Sequence, residues 1–116
     1  MQRHFRLRRN EDFVRLRQEG RAFSHSSMVL NWMPNGLPHN RYGLITSKKL
    51  GSAVARNRVR RRLREVVRLL HPRLRAGFDI VVIARPGLVG KPFVAMQRIL
   101  EELSQRAGLL MEGEAK

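Results

Sequence analysis

The segment ARNRVRRRLR, residues 55 to 64, carries six arginines in ten positions and no acidic residue. Apolar residues nevertheless recur through and beyond it at intervals of three or four, as expected of a helix that buries one face. The members of this stripe are Ala55, Val59, Leu63, Val66 and Leu70. The segment therefore predicts a helix from about Ser52 to the pair His71 and Pro72, with its apolar side packed against other elements and its arginines in solvent.

A shorter helix is predicted near the amino terminus. Asn10 has the side chain of a good N-cap, and Glu11 and Asp12 then place two acids in the first turn, where they complement the helix dipole. Phe13 and the aliphatic residues that follow it supply an apolar face, and Gly20 is typical of a helix end. The pattern therefore predicts a helix of about ten residues.

Strand-forming residues cluster between these two helices. Residues 27–33 are rich in them and run into a loop, residues 34–40, whose proline, asparagine and glycine signal a turn. Residues 41–47 then predict a returning strand, so that the two strands form a hairpin. Alternation along the first strand sends Trp32 into the core and Asn31 to the other face.

A further apolar run, residues 78–85, is short and continuous, which is typical of a central strand covered on one or both faces. After it, Pro92 fits a first helical position and Gly108 a C-cap, with an apolar stripe at helical spacing between them. The order is helix, two strands and a candidate third, helix, strand, helix. We therefore predict an α+β fold, a two-layer sandwich of order α-β-β-β-α-β-α, in which residues 1–110 form a single domain and residues 111–116 a frayed tail.

The net charge of the chain indicates a polyanionic partner. Its 24 basic and 9 acidic residues give a net charge of +15 and a pI near 11.9, far beyond what solubility requires. Nucleic acid, an anionic membrane and an acidic protein all satisfy that charge, and a compact basic domain favours nucleic acid. No apolar run is long enough to span a membrane, and the absence of cysteine fits a reducing cytoplasm. We therefore expect a cytoplasmic protein with no membrane partner.

The arginine helix favours the same kind of partner. A helix face that serves only solubility usually alternates acidic and basic residues, because pairs four residues apart then attract. Here such pairs are like-charged, Arg56 with Arg60 and Arg60 with Arg64 among them, and together they cost the free helix about 1 to 2 kcal/mol. When the helix binds a phosphate backbone, the same charges attract the ligand, so the unfavourable energy becomes favourable. Upstream, Lys48 and Lys49 stand in a glycine-containing connection to the helix, where backbone N–H groups suit an anion.

Residues 43–68, GLITSKKLGSAVARNRVRRRLREVVR, closely resemble the signature of the bacterial ribonuclease P protein subunit. That signature runs Ser-Lys-Lys-x-Gly-x-Ala-Val-x-Arg-Asn-Arg and continues through basic residues to Arg-Glu. Residues 6–13 resemble the opening of the family, and residues 79–87 resemble its late strand. The resemblance spans most of the chain, with its motifs in the family's order. The matching positions of the signature are Lys48, Lys49, Gly51, Ala53, Val54, Arg56, Asn57, Arg58, Arg61, Arg64 and Glu65.

The resemblance implies a small basic subunit that joins a catalytic RNA and helps it remove the 5′ leader from precursor tRNA. The RNA performs the hydrolysis with bound Mg²⁺, so the protein is a component of an endoribonuclease and holds no catalytic residue. The family also implies that the helix with the Arg-Asn-Arg motif lies in a left-handed βαβ crossover, against the general rule. The RNA-binding residues expected from the motif and from the helix face are Lys48, Lys49, Arg56, Asn57, Arg58, Arg60, Arg61, Arg64 and Arg68.

Members of the family hold the single-stranded leader in a cleft between the sheet and the first helix, using aromatic and polar side chains. Phe13 matches one such position, and it fits a core residue on the first helix equally well. A second aromatic is common one turn later, where this chain has Arg17, and an often aromatic strand position is Asn31. Fewer bases can then stack, so leader binding through Phe13, Arg17 and Asn31 is expected to depend more on charge.

The sequence gives little indication of a metal site or of catalytic residues. The four histidines are scattered without ligand-like spacing, and the two acidic pairs fit a helix start and a solvated helix face. An active site made of protein alone is therefore not expected, and Mg²⁺ is expected on RNA phosphates. One alternative stays open, a non-enzymatic RNA-binding protein of ribosomal type that shares a basic αβ fold.

Overall fold

The computed structural model describes residues 5–111, which form three α-helices and four strands. The helices are α1 (Asn10–Glu19), α2 (Ala53–Leu70) and α3 (Phe93–Arg106). The strands are β1 (Arg21–Ser24), β2 (Met28–Pro34), β3 (Arg41–Ile45) and β4 (Phe78–Ala84). This order confirms the predicted α-β-β-β-α-β-α arrangement. The predicted tail, residues 111–116, lies outside the described residues except for Met111.

β4 lies inside a four-stranded sheet of order β1-β2-β4-β3, which confirms its prediction as a central strand. β2 pairs with β4 antiparallel, and β3 pairs with β4 in parallel on its other side. The predicted hairpin between residues 27–33 and 41–47 is therefore wrong, because β4 separates the two strands. β4 is largely buried along its length, so a place between two neighbours suits it better than an edge. The hairpin of the structure joins β1 to β2, with Phe23 opposite Leu30.

α2 connects two neighbouring parallel strands, β3 and β4. Such a βαβ unit carries the helix across one face of the sheet, which turns the apolar stripe of α2 toward the strands. The predicted stripe is buried from Val59 to Leu70, and Val67 joins it. The left hand of this crossover stays a prediction from the family resemblance.

Alternation along the strands divides the sheet into two unequal faces. On the side of α2 and α3, Leu30, Trp32 and Val82 belong to one large apolar core, which confirms that Trp32 is buried. On the side of α1, a small cluster forms around Leu16 and Val81. We refer to these sides as the α2 face and the α1 face.

Three helix boundaries differ by one residue from their predicted positions. α1 begins at Asn10 itself, so that Arg9 is the N-cap and makes no side-chain cap bond. α3 begins one residue after Pro92, which is the N-cap. The C-cap of α3 is Ala107, and Gly108 takes a left-handed φ of 75° directly after it. The residue types that mark a helix end are tolerated at adjacent positions, so the sequence does not separate them.

Candidate nucleic-acid interface

The outer side of α2 carries the predicted cationic surface. Arg58 and Arg61 are exposed and Arg64 is half-buried. Within residues 5–111 none of the three has an acidic partner at ion-pair distance. Because the apolar stripe of α2 faces the sheet, these like charges lie opposite the stripe or beside it, without internal compensation. Such a row suits the phosphates of a nucleic acid.

Two further predicted residues of α2 are linked to each other and to the end of β3. Arg60 donates to Oδ1 of Asn57 at 3.0 Å and to Oγ1 of Thr46 at 2.5 Å. Thr46 is buried and directly follows β3, so these bonds hold the Arg60 guanidinium close to the sheet. Asn57 is itself exposed. Its amide therefore orients a neighbouring arginine as well as facing solvent.

Arg56 and Arg68 differ in the hydrogen bonds and ion pairs that their guanidinium groups make. Arg56 is half-buried, and its Nε has no hydrogen-bond partner among the described residues. Arg68 is paired with Glu65, with its Nε donating to Oε2 at 3.0 Å. That interaction lowers the pKa of Glu65 and raises the pKa of Arg68, so both groups are charged at neutral pH. Arg68 is thus the one predicted α2 arginine whose charge is balanced by a described acid.

Lys48 and Lys49 lie beside the start of α2, as predicted. Both side chains are exposed, and their backbone forms a short 3₁₀ turn. Gly51 then takes a φ of 121°, a backbone conformation that favours glycine, and Ser52 caps the helix with its side chain. The connection therefore places two ammonium groups near the positive end of the α2 dipole, where an anion is favoured.

A groove of about 460 Å³ opens on the α1 face. The residues that line it include all three predicted leader-binding residues, Phe13, Arg17 and Asn31, together with Ile45 and Ile83 from the strands. Phe13 is half-buried, whereas Arg17 is exposed. The groove thus combines one aromatic ring, one free-standing cation and an apolar floor, which are the groups that bind a single strand of nucleic acid.

Gly43 on β3 makes room for the ring of Phe13. A Cβ atom at Gly43 would lie 2.6 Å from Cε1 and 2.8 Å from Cζ of that ring, closer than real contacts allow. The ring therefore lies directly against the β3 backbone, where it joins the small cluster of the α1 face. Both interpretations of Phe13 are compatible with this geometry, because the ring packs on the sheet and also lines the groove.

Asn31 is more constrained than its sequence position suggests. Its side chain is 8% exposed, and its Nδ2 donates to the carbonyl oxygens of Leu16 at 3.1 Å and Arg21 at 2.9 Å. These bonds tie the last turn of α1 to the β1–β2 hairpin. An aromatic residue at this position could not make them.

A charged cluster fixes α1 on the sheet and so fixes one wall of the groove. Arg41 donates to both carboxylate oxygens of the buried Asp79 at 2.8 Å, and its Nη1 lies 3.8 Å from Oδ2 of Asp12 on α1. Asn35 adds a hydrogen bond to Oδ1 of Asp79 at 3.0 Å. The hydrogen bond to Asp79 raises the pKa of Arg41, which keeps a positive charge between the two acids.

A basic cleft of about 340 Å³ between α2 and the amino-terminal segment is not apparent from the sequence. The arginines that line it are Arg6, Arg8, Arg60 and Arg64. The amino-terminal segment runs beside β3, with the N–H of Leu7 donating to the carbonyl of Tyr42 at 2.7 Å, which brings Arg6 and Arg8 close to α2. The run of arginines before α1 is a sequence signal for this cleft, but its position depends on that long-range pairing.

Within residues 5–111 no three histidine, aspartate, glutamate or cysteine side chains come close enough together to hold a metal ion. No helix in that part of the chain is both long enough and apolar enough to cross a membrane.

These features define a class of protein, a small basic α+β nucleic-acid-binding protein whose crossover helix carries an uncompensated row of arginines. The family model for ribonuclease P matches residues 1–108. The chain therefore belongs to the ribonuclease P protein family, the protein components of a ribonucleoprotein endoribonuclease that matures the 5′ end of tRNA.

Individual relatives agree with this assignment over nearly the whole chain. The ribonuclease P protein component of Roseiflexus sp. (strain RS-1) is 44% identical over 116 residues, covering 99% of this chain and 95% of that protein. The structure of the Staphylococcus aureus RNase P protein has a TM-score of 0.84 at 30% identity, covering 92% of this chain and 98% of that one. The Thermotoga maritima RNase P protein has a TM-score of 0.78 at 31% identity, with coverages of 86% and 96%. Sequence and fold thus confirm the predicted family.

Proposed function

We propose that this chain binds the catalytic RNA of ribonuclease P through the outer side of α2. The observation that carries the proposal is the row of Arg58, Arg61 and Arg64, which has no acidic partner among the described residues. Arginine presents a planar fork that matches phosphate oxygens with two bonds at once. Lys48 and Lys49 extend the same surface past the start of the helix. RNA phosphates therefore offset the repulsion that these cations impose on the free protein.

The groove on the α1 face binds the 5′ leader of precursor tRNA in this proposal. Phe13 stacks on one leader base, an interaction that contributes about 1 to 3 kcal/mol, and Arg17 pairs with a phosphate. Asn31 already uses its Nδ2 in contacts within the protein, so it has its carbonyl oxygen left for RNA. With one ring and one cation in the groove, charge contributes a large share of leader affinity.

The RNA performs the hydrolysis, and phosphate oxygens hold the Mg²⁺ that the reaction uses. Mg²⁺ prefers oxygen ligands and keeps several of its waters, whereas the described residues bring no three acidic or histidine side chains together. In this proposal the protein contributes by binding both RNAs and by lowering the repulsion between their phosphates. It acts in the cytoplasm, without a membrane partner, as a single RNA-binding domain of residues 1–110.

The test is cleavage of a precursor tRNA by the cognate catalytic RNA at low Mg²⁺ concentration, with and without the protein. We expect a mature 5′ end to form only when the protein is present. An unrelated basic RNA-binding protein of similar charge serves as the control and should not support cleavage. If the chain binds the catalytic RNA but gives no stimulation, the alternative of a plain RNA-binding protein of ribosomal type is the better account.

A further inference from the structure

A second cavity, of about 540 Å³, lies on the α2 side of the molecule near the end of α2. Its lining includes Phe5, Tyr42, Val67 and His71, with Arg64 and Arg68 beside them. Tyr42 belongs to the core of the α2 face, whereas Ile45 and Ile83 in the leader groove point to the α1 face. The cavity is therefore separate from the proposed leader groove.

Three aromatic rings of this cavity are in contact. The ring centroid of Phe5 lies 4.8 Å from that of His71, and the centroid of Tyr42 lies 5.5 Å from that of His71. Phe5 and His71 are each partly exposed, and both line the cavity. Planar faces of this kind bind nucleobases by stacking, because every base has a π-face.

The hydrogen bonds beneath these rings set their protonation. Oδ1 of Asn40 accepts from the N–H of Phe78 at 2.8 Å, so its Nδ2 is the atom that donates to Oη of Tyr42 at 3.1 Å. The hydroxyl of Tyr42 then donates its proton to Nδ1 of His71 at 2.7 Å. This direction of donation corresponds to a neutral His71 imidazole with its proton on Nε2. Burial and, secondly, the nearby His39 lower the pKa of His71, and burial raises the pKa of Tyr42 to about 12.

The rim of the cavity is cationic. Arg64 and Arg68 stand four residues apart on α2, which places them on the same side of the helix. Glu65 balances Arg68, so Arg64 supplies the net positive charge. Arg64 also lines the neighbouring basic cleft with Arg6 and Arg8. A path of positive charge therefore runs from the cleft to the aromatic rings.

We propose that this cavity holds one unpaired nucleotide of the catalytic RNA, with its base stacked on Phe5 and its phosphate paired with Arg64. This inference rests on the proposed function and assigns it an additional binding site. An aromatic surface beside a single uncompensated guanidinium fits a nucleotide, which has one flat apolar group and one anionic group. The catalytic RNA is its source in this proposal because Arg64 and Arg68 of α2 line the cavity, whereas no residue that lines the cavity also lines the leader groove.

The experiment compares the binding of the catalytic RNA by the full-length wild-type protein and by its Phe5→Leu variant, and the holoenzymes that they form. The substitution keeps an apolar side chain but removes the ring. We expect the affinity for the cognate catalytic RNA to fall roughly 5- to 100-fold, as for the loss of one stacked base, with the salt dependence of binding unchanged. Probing of 2′-hydroxyl reactivity should show one RNA nucleotide that the wild-type protein protects and the variant does not. Phe23→Leu, which changes a ring at the other end of the sheet, is the matched control and should behave as the wild type.

Arg64→Gln provides a second variant, since it lies on the rim of the cavity and leaves the rings intact. It should expose the same nucleotide and, unlike Phe5→Leu, should lessen the salt dependence. Unchanged affinity and unchanged protection in both variants would overturn the proposal, as would a loss confined to binding of the precursor's leader. Failure of the wild-type protein to stimulate cleavage would count against the proposed function instead, so the two failures are distinguishable.

Discussion

Among residues 5–111, the core on the α2 face contains twenty buried residues, whereas the cluster on the α1 face contains three. α2 is held by an apolar stripe, so its outer side is free to carry an unbalanced row of charges. α1 packs Leu16 against this small cluster, and polar contacts also position it, among them the ion pair of Asp12 with Arg41 and the hydrogen bonds of Asn31. Stability and groove geometry therefore have different physical origins in this protein. Apolar burial stabilises the fold, and a few polar contacts position the groove.

The largest expected effect comes from placing a charge in the α2 stripe. Val59 is 2% exposed, so Val59→Asp buries a carboxylate without a partner and should unfold the protein. Far-ultraviolet circular dichroism measures the outcome. Arg61→Asp, on the exposed side of the same helix, is the matched control and should keep the native spectrum. A native spectrum for Val59→Asp would contradict the burial of this stripe.

The α1 face should respond most strongly to loss of its buried carboxylate. Asp79→Asn leaves the Arg41 guanidinium without its main partner, and we expect the free energy of unfolding to fall by about 3 kcal/mol. Urea denaturation measures this value. Glu11→Gln removes an exposed acid from α1 and should change stability little. Equal effects of the two substitutions would show that the Arg41 cluster does not hold α1.

A smaller effect is expected at Gly43, and it should fall on binding more than on stability. The added methyl group of Gly43→Ala displaces the ring of Phe13, so affinity for a leader-containing precursor should drop by about fivefold, corresponding to about 1 kcal/mol of stacking. Precursor binding by the holoenzyme measures this change. In combination with Phe13→Leu the glycine substitution should cost nothing further. Additive losses would mean that Gly43 acts without Phe13.

The smallest effect concerns pH and the α2 face. Burial lowers the pKa of His71 from 6.5, so the unfolded chain binds this proton more tightly than the folded one. The stability contributed by neutral His71 is complete above pH 6.5 and declines as the pH falls through the lower folded-state pKa. The melting temperature should therefore drop on acidification. The melting temperature of His71→Gln should decline less steeply with falling pH than that of the wild type. Identical pH profiles of the two proteins would refute the assignment of this effect to His71.

Local sequence patterns predicted the elements well and their long-range pairing poorly. The stripe from Val59 to Leu70 and the apolar run of β4 each identify one element, because helix and strand periods differ. The predicted pairing of β2 with β3 is wrong. A turn signal after Pro34 shows that the chain reverses, but it cannot indicate whether the next strand pairs with β2 directly or whether β4 lies between them. Pairing between distant segments depends on burial over the whole sheet, which no local pattern records.

In the candidate site as well, local patterns were sufficient to predict some features, whereas others depend on contacts between distant segments. Exposure of Arg61 follows from its position opposite the apolar stripe and that of Arg58 from its position beside the stripe, so helical geometry was sufficient. The contact of Phe13 with Gly43 joins residues from α1 and β3, and the bonds of Asn31 join three elements. Such contacts exist only in the folded protein, so the structural role of Asn31 could not be predicted from the sequence.

The α1 face and the outer side of α2 are proposed to bind different RNAs, and the contribution of the leader to affinity distinguishes the two surfaces. The measurement compares holoenzyme affinity for a precursor tRNA with its affinity for the same tRNA lacking the leader, for Arg17→Gln and Arg61→Gln. We predict that Arg17→Gln reduces the gain in affinity that the leader provides. Arg61→Gln should leave that gain unchanged and instead weaken binding of the catalytic RNA, with a log–log salt slope smaller by roughly 0.7 to 0.9. A loss of the leader's contribution in Arg61→Gln, or none in Arg17→Gln, would contradict the account.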